Sequence, residues 1–115
     1  MRVAGFGFRH NASLASLQAA LALTGGADAI ATIDTKLPGL TALANATGLP
    51  LILVTQAALA RHSRPGSARV TALYGTGSVA ESSALAAAGP GASLTQTRLT
   101  SPDRQVVIAI AEVLP

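Results

Sequence analysis

The feature that most constrains the fold is an alternation of short apolar segments with helix-forming segments along the chain. The apolar segments are too short for helices and are rich in residues that favour strands. Strands that are separated by a helix pair in parallel, because a parallel neighbour requires a crossover connection. The sequence therefore predicts an α/β protein, a three-layer α/β/α sandwich with a mostly parallel, mixed sheet of about five or six strands.

This alternation places the predicted elements along the chain. The predicted strands are residues 2–8, 29–33, 51–54, 70–73, 94–99 and 105–111, and the predicted helices are residues 13–23, 38–48, 56–61 and 78–88. Asn11 or Ser13 would cap the first helix, and Gly25 and Gly26 would end it. The turn-rich residues 100–104 join the last two strands at the length of a hairpin, so the sheet is predicted to end in an antiparallel pair.

The composition limits the chain to one domain. Of its 115 residues, 50% are hydrophobic and 11% are charged, so we expect a single core and one domain spanning residues 1–115. The absence of cysteine excludes a disulfide framework and a thiolate zinc site, and it fits a reducing compartment. The sequence shows no pattern of a membrane span or a signal peptide, so a cytoplasmic protein is predicted.

The charge pattern weakly favours an anionic small molecule as the partner. The formal net charge is +3. Nucleic-acid-binding domains usually cluster basic residues with aromatic side chains, whereas the only aromatic residues here are Phe6, Phe8 and Tyr74, and the only basic cluster lies in residues 61–69. We therefore expect neither a nucleic acid nor a membrane as a partner.

The loop after the first strand is the first candidate for a binding site, since ligands of parallel sheets bind beyond the carboxyl ends of the strands. Gly7, Phe8 and Arg9 combine backbone freedom, an aromatic surface and a cation just before the start of a helix, which suits a carboxylate. The alternative is that the glycines relieve crowding in the strand and that Asn11 or Ser13 only caps the helix.

The loop after the second strand is a second candidate. Thr32, Asp34, Thr35 and Lys36 bring two hydroxyls, a carboxylate and an ammonium to the end of a buried strand, where polar groups need partners. Lys36 is a suitable point charge for an acidic ligand. Alternatively, Asp34 pairs with Lys36 or caps the following helix.

The residues before the last helix form a third candidate. Ser78 and Glu81 have the spacing of a capping box, which is a structural feature. Gly75, Thr76 and Gly77 precede them, and glycines at this position let the backbone approach a ligand at a helix N-terminus. No Gly-Lys-Ser/Thr follows, so this segment is not a Walker motif.

Residues for catalysis or metal binding are scarce. His10 and His62 are the only histidines, which makes a two-histidine metal site improbable, and no Gly-x-Ser-x-Gly elbow occurs. The chain has only five acidic residues, which leaves few candidates for a pair of catalytic carboxylates. The sequence therefore predicts no metal ion and no cofactor, and it identifies no catalytic residue.

Four segments together resemble the ordered signature of one family. These segments are Gly5-Phe6-Gly7-Phe8-Arg9, Thr32-Ile33-Asp34-Thr35-Lys36, Gly75-Thr76-Gly77-Ser78-Val79-Ala80-Glu81 and Val107-Ile108-Ala109-Ile110-Ala111. Their order resembles that of the CobE and CbiG C-terminal domain family of cobalamin biosynthesis, over nearly the whole chain. This chain has Phe8 where the family commonly has cysteine or another small residue. Where the family tends to place a lysine between the last two strands, this chain has Arg98 and Arg104, and Arg98 is the better candidate for that role.

The resemblance implies that the protein handles a corrinoid. CobE-like proteins belong to the oxygen-dependent pathway, and a corrin is a broad apolar disc fringed with carboxylates, which matches the cations and helix starts after the strands. We therefore expect a carboxylate-rich corrin or tetrapyrrole intermediate, such as hydrogenobyrinic acid or a precorrin, to be bound by a carrier or chaperone. The protein could also dock another enzyme of the cobalamin pathway and pass its product on.

The alternative implied by the resemblance is an enzyme. CbiG-type proteins are associated with the opening of the ring A lactone of cobalt-precorrin-5A. The second hypothesis is therefore a hydrolase or isomerase that acts on a cobalt-precorrin or a precorrin. The residues favour the binder, because a binder needs only fixed hydrogen-bond donors, whereas an enzyme normally needs a base of tuned pKa within reach of the reacting group.

Overall fold

Helices and strands alternate along the part of the chain that the structure describes, which comprises residues 1–8, 12–33, 37–55, 57 and 79–113 of a computed structural model. The strands are β1 (Arg2–Phe8), β2 (Ala29–Ile33), β3 (Leu51–Val54), β4 (Ser93–Thr100) and β5 (Val106–Glu112), and the helices are α1 (Leu14–Leu23), α2 (Leu37–Thr47) and α3 (Val79–Ala88). These elements confirm the predicted ones to within a residue at each end. The predicted strand 70–73 lies outside the described residues, as does most of the predicted helix 56–61.

The described strands form one mixed sheet in the order β3-β2-β1-β5-β4. β1 pairs in parallel with β2, and β2 pairs in parallel with β3. β5 pairs antiparallel with β1 along its whole length and antiparallel with β4 on its other side. The predicted α/β class and the antiparallel end of the sheet are confirmed. The sequence did not indicate that the last strand would lie beside the first.

Helices cover both faces of this sheet. Alternate residues of each strand point to opposite sides, so apolar side chains on both faces are buried by helices. On one face, Phe6 and Ile30 pack in a cluster with Leu17 of α1 and Leu40 of α2. On the other face, strand residues pack beneath α3, where Val79 lies in a cluster with Val3, Ala31 and Ile33, and Ala84 packs on Ala111. The described residues therefore form the three layers of an α/β/α sandwich.

The ends of α1 follow the predicted signals. The side chain of Ser13 accepts a hydrogen bond from the backbone N–H of Ser16 at 3.1 Å, which identifies Ser13 as the N-cap. Gly25 and Gly26 follow the helix with φ of 81° and 107°, a conformation that glycine adopts without strain. The cap and the glycines therefore set the two ends of α1, which connects the end of β1 to the start of β2.

The amino ends of the parallel strands form an edge that Arg2 holds together, and we call it the amino edge. The guanidinium of Arg2 donates from Nη2 to the carbonyl of Thr24 at 2.9 Å and from Nε to the carbonyl of Gly26 at 3.2 Å. Its Nη1 lies 3.3 Å from Oε2 of Glu112, and its backbone N–H donates to Asp28 at 2.7 Å. One side chain thus joins the end of α1 to β1 and β5.

Candidate functional site

The carboxyl ends of the parallel strands form the opposite edge, which we call the carboxyl edge. It is defined by Phe8, Ile33 and Val54, the last residues of β1, β2 and β3. α1 and α2 begin after β1 and β2, and α3 also begins at this edge, because Val79 lies beside Gly7 and Ala84 lies beside Gly5. Helix N-termini favour negative charge, so this edge suits an anionic ligand.

The two glycines of β1 have different roles. A β-carbon on Gly5 would collide with the carbonyl oxygen of Ala80 and would lie 2.5 Å from the backbone nitrogen of Ala84. A β-carbon on Gly7 would meet its nearest neighbours, in Val79 and Ala80, at 3.6 Å, an ordinary contact distance. Packing against α3 therefore requires glycine at position 5, as the crowding alternative held. It does not require glycine at position 7, which was the predicted ligand-binding position.

Phe8 covers the start of α2. It is partly buried and packs against the cluster beneath α1 and α2. Its ring lies so close to Gly39 that a β-carbon there would be 2.7 Å from Cε2 of the ring. Phe8 also pairs with Val106 in the ladder between β1 and β5. The ring therefore forms part of the surface of the carboxyl edge, where the sequence predicted it.

The N-terminus of α1 is engaged by the chain itself. The hydroxyl of Ser16 donates to Oδ2 of Asp103, a residue of the turn between β4 and β5. The other carboxylate oxygen, Oδ1, accepts from the hydroxyl of Ser101 at 2.7 Å and from the backbone N–H of Gln105 at 3.1 Å. Together with the Ser13 cap, this network attaches the β4–β5 turn to α1. The anion at this helix start is therefore a carboxylate of the protein.

The same hydrogen bonds stabilise the charged form of Asp103. The pKa of this carboxyl is lowered from its ordinary value, chiefly by the hydrogen bond from Ser16 and then by those from Ser101 and Gln105. The sequence predicted no role in this network for either Asp103 or Ser16. The turn sequence Ser101-Pro102-Asp103 was a usable signal for the local bonds, but nothing in the sequence pointed to a partner as distant as Ser16.

An ion pair joins α3 to β4 near the same edge. Nε of Arg98 lies 3.5 Å from Oε1 of Glu81, which is in the first turn of α3. The side chain of Glu81 is 6% exposed, whereas that of Arg98 is 47% exposed. Arg98 is the predicted site residue that stands in for a family lysine, and the structure gives it a defined position and an accessible surface.

The second predicted loop is described only at its first polar residue. Thr32 is fully buried, and its hydroxyl donates to the carbonyl of Phe6 at 2.8 Å. This hydroxyl therefore serves the pairing of β2 with β1. The remaining predicted site residues lie outside the described residues, and they are Arg9, Asp34, Thr35, Lys36, Gly75, Thr76, Gly77 and Ser78.

A metal site and a membrane-spanning helix are both missing from the described residues. Across residues 1–8, 12–33, 37–55, 57 and 79–113, no group of three or more His, Asp or Glu side chains could hold a metal ion. None of the helices there is long and apolar enough to cross a membrane.

Comparisons with known proteins give one family. Residues 2–111 match the family described as cobalamin synthesis G C-terminus. The crystal structure of CobE, a protein from the cobalamin (vitamin B12) biosynthetic pathway, is similar with a TM-score of 0.80 and 32% identity, over 99% of this chain and 91% of that chain. The cobalamin biosynthesis protein chiG from Agrobacterium tumefaciens str. C58 is similar with a TM-score of 0.78 and 31% identity, over 100% of both chains. A search of curated protein sequences gives no match.

Proposed function

The chain belongs to the cobalamin synthesis G C-terminus family, and from this we propose that it binds a carboxylate-rich corrin intermediate as a carrier or chaperone. The intermediate is hydrogenobyrinic acid or a precorrin of the oxygen-dependent pathway. The observation that carries the proposal is the likeness to CobE over essentially the whole chain. The alignment extends over the strands and helices that end or begin at the carboxyl edge as well as over the core.

The carboxyl edge has features that suit such a ligand. Besides α1, whose N-terminus is occupied by Ser13 and Asp103, the helices α2 and α3 begin there, and helix N-termini favour the carboxylates on the rim of a corrin. Phe8 supplies an aromatic surface for the apolar disc, and Arg98 supplies an accessible cation. Arg9 directly follows β1 and Lys36 lies three residues after the end of β2 in the sequence, and we assign both to further carboxylates of the ligand.

The described part of the site favours binding over catalysis. Among the residues that the structure describes, the carboxylates near the carboxyl edge are Glu81, which is paired with Arg98, and Asp103, which accepts three hydrogen bonds. A general base needs a lone pair within reach of the reacting group, and both of these carboxylates are committed to neighbours. We accordingly propose a cytoplasmic binding protein that holds a labile intermediate and passes it to an enzyme of the same pathway.

Titration of the purified protein with hydrogenobyrinic acid tests the proposal. We expect a shift in the visible absorption spectrum and an increase in melting temperature, with a dissociation constant of micromolar or below, which corresponds to about 8 kcal/mol. Uroporphyrin, a flat macrocycle that also carries many carboxylates, is the control for charge alone and should bind more weakly.

The outcomes separate the competing functions. An unchanged spectrum and melting temperature at tens of micromolar of hydrogenobyrinic acid and precorrins would refute the carrier function. Equal binding of uroporphyrin would indicate a nonspecific anion surface. A change in ligand mass during incubation with a cobalt-precorrin or precorrin would favour the hydrolase or isomerase instead.

A further inference from the structure

β4 changes the face to which its side chains point, and this brings Arg98 to α3. Gln96 and Leu99 of β4 pair with Ile110 and Ile108 of β5, so three steps along β4 correspond to two steps along β5. The ladder has a register shift between these residues, as expected for a β-bulge. In a regular strand, residues 96 and 98 would share a face of the sheet.

The contacts of these residues confirm the change of face. Gln96 donates from Nε2 to the carbonyl of Thr24 at the end of α1, on one side of the sheet. Arg98 contacts Glu81 of α3, on the other side. Bulges are frequent beside functional sites because they redirect a side chain in this way. The irregularity in β4 therefore has a specific result, which is the placement of a guanidinium beside the first turn of α3.

Glu81 fixes the orientation of that guanidinium. It is the acidic residue of the first turn of α3, where the helix dipole favours a negative charge, and it is almost completely buried. A buried carboxylate is costly to leave without its counter-ion, so the contact with Nε of Arg98 holds that side of the guanidinium in place. Among the described residues, the terminal nitrogens Nη1 and Nη2 have no other partner, and nearly half of the side chain is exposed.

We propose that Glu81 positions Arg98 so that its two terminal nitrogens select a free carboxylate over an amide on the bound corrin. This inference rests on the proposed function. Two parallel N–H donors match the two oxygens of a carboxylate, whereas an amide offers one oxygen and places its own N–H donors against those of arginine. The protein then binds the intermediate before this side chain of the macrocycle is amidated, and amidation weakens its retention.

The test compares two ligands, hydrogenobyrinic acid and the same corrin with its acetate side chains amidated. We expect wild type to bind the acid more tightly, and Arg98→Lys to lose about tenfold to a hundredfold in affinity for the acid but little for the amide. Lysine keeps the charge, but its single ammonium cannot contact Glu81 and also form a two-point contact with a carboxylate. Arg2→Lys is the matched control, since it makes the same change at the amino edge, and it should leave both affinities unchanged.

Glu81→Gln separates positioning from simple charge balance. If Glu81 positions Arg98, the substitution releases the guanidinium, and the preference for the acid falls. If Glu81 only neutralises Arg98, its removal leaves a stronger cation, and the preference rises, which would overturn the proposal. Arg98→Ala should lower the melting temperature by removing the ion pair with the buried Glu81, and the double variant Arg98→Ala, Glu81→Gln should regain stability without regaining the preference.

The remaining outcomes separate this inference from the function on which it rests. If wild type binds neither corrin, the proposed function fails, and the inference fails with it. If wild type binds both corrins equally, or if Arg98→Lys keeps the wild-type preference, the carrier function stands and the role of Arg98 and Glu81 is refuted.

Discussion

The two ends of the parallel strands carry arginines that are used in different ways. At the amino edge, all three guanidinium nitrogens of Arg2 contact the protein, at Thr24, Gly26 and Glu112. At the carboxyl edge, Arg98 has one ion pair within the described part of the chain, through Nε, and its side chain is more exposed. A guanidinium whose donors are all used by the fold holds elements together, whereas one with donors to spare is available to a ligand. Substitutions at the amino edge should therefore lower stability, and substitutions at the carboxyl edge should lower binding.

The largest loss of stability is expected at Gly5, because α3 packs directly against the backbone of β1 at this residue. Gly5→Ala places a β-carbon against the backbone of Ala80 and Ala84, which cannot move without displacing the helix. We expect a loss of about 3 kcal/mol or more in the free energy of unfolding, measured by urea denaturation. Gly7→Ala is the matched control and should cost less than about 1 kcal/mol. Equal losses would show that the close approach of α3 is not the reason for the glycine.

Gly77→Val should act on binding at the carboxyl edge. Gly77 lies two residues before α3 in the sequence, and our site hypothesis puts a ligand against its backbone. We expect corrinoid affinity to fall by at least about 3 kcal/mol in a protein that still melts cooperatively. Ser78→Ala is the neighbouring control and should cost about 1 kcal/mol of stability with nearly normal binding. Normal binding by Gly77→Val would place the ligand elsewhere.

Arg2→Ala provides the opposite pattern at the amino edge. The substitution removes the donors to the carbonyls of Thr24 and Gly26, just after α1, and the ion pair with Glu112. We expect a loss of about 2 kcal/mol in the free energy of unfolding. This loss is small for the removal of several charge-assisted hydrogen bonds, because the side chain is partly exposed to solvent. Corrinoid affinity, measured at a temperature where the variant is folded, should not change. A drop in affinity would contradict the division between the two edges.

Much of the fold was predictable because local signals agreed with one another. Ser13 was predicted as an N-cap of α1, and Gly25 and Gly26 were predicted to end that helix. Both signals depend only on residues that are close in the sequence. The place of β5 between β1 and β4 was not predictable, since an apolar strand pairs equally well with several neighbours. Pairing order depends on contacts between distant residues, which a single sequence does not encode in its local pattern.

The candidate site was predicted less completely, and the reason is similar. The sequence treats Gly5 and Gly7 alike because both belong to the motif Gly5-Phe6-Gly7. Only the position of α3 shows that a β-carbon would collide at Gly5 and would fit at Gly7. Arg98 was identified through the family resemblance, but its partner Glu81 was assigned to a capping box. The bulge that brings them together was not predictable from β4, because its residues are mostly polar and show no regular alternation that would reveal a change of face.

Lys36→Ala tests whether the loop after β2 belongs to the site. Its ammonium is predicted to contact a ligand carboxylate, a charge-assisted hydrogen bond of roughly 1.5 to 3 kcal/mol. We expect the affinity for hydrogenobyrinic acid to fall by about this amount while the melting temperature stays close to that of wild type, and Arg9→Ala should behave similarly. Unchanged affinity with lowered stability would instead support the alternative in which Lys36 pairs with Asp34.

The smallest effect concerns Asp103, whose carboxylate attaches the β4–β5 turn to α1. Its pKa is lowered below the model-peptide value of 3.8 in the folded protein, so its contribution to stability is complete above that value. The contribution is lost as the pH falls through the lower pKa of the folded state. Asp103→Asn removes the charge and keeps the shape, so we expect it to be less stable than wild type near neutral pH. The difference should shrink as the pH falls below about 4, because wild type then also loses the charge.

Chemical denaturation of both proteins at a series of pH values measures this difference. Ser16→Ala removes the hydrogen bond that contributes most to the lowered pKa of Asp103, so the pH-dependent part should be smaller in this variant. A difference between wild type and Asp103→Asn that is the same at every pH would mean that the hydrogen bonds of Asp103 do not depend on its charge. The turn lies at the carboxyl edge beside Phe8, since Val106 pairs with Phe8 at the start of β5. A weaker attachment should therefore also lower corrinoid affinity slightly, an effect that Arg2→Ala should not share.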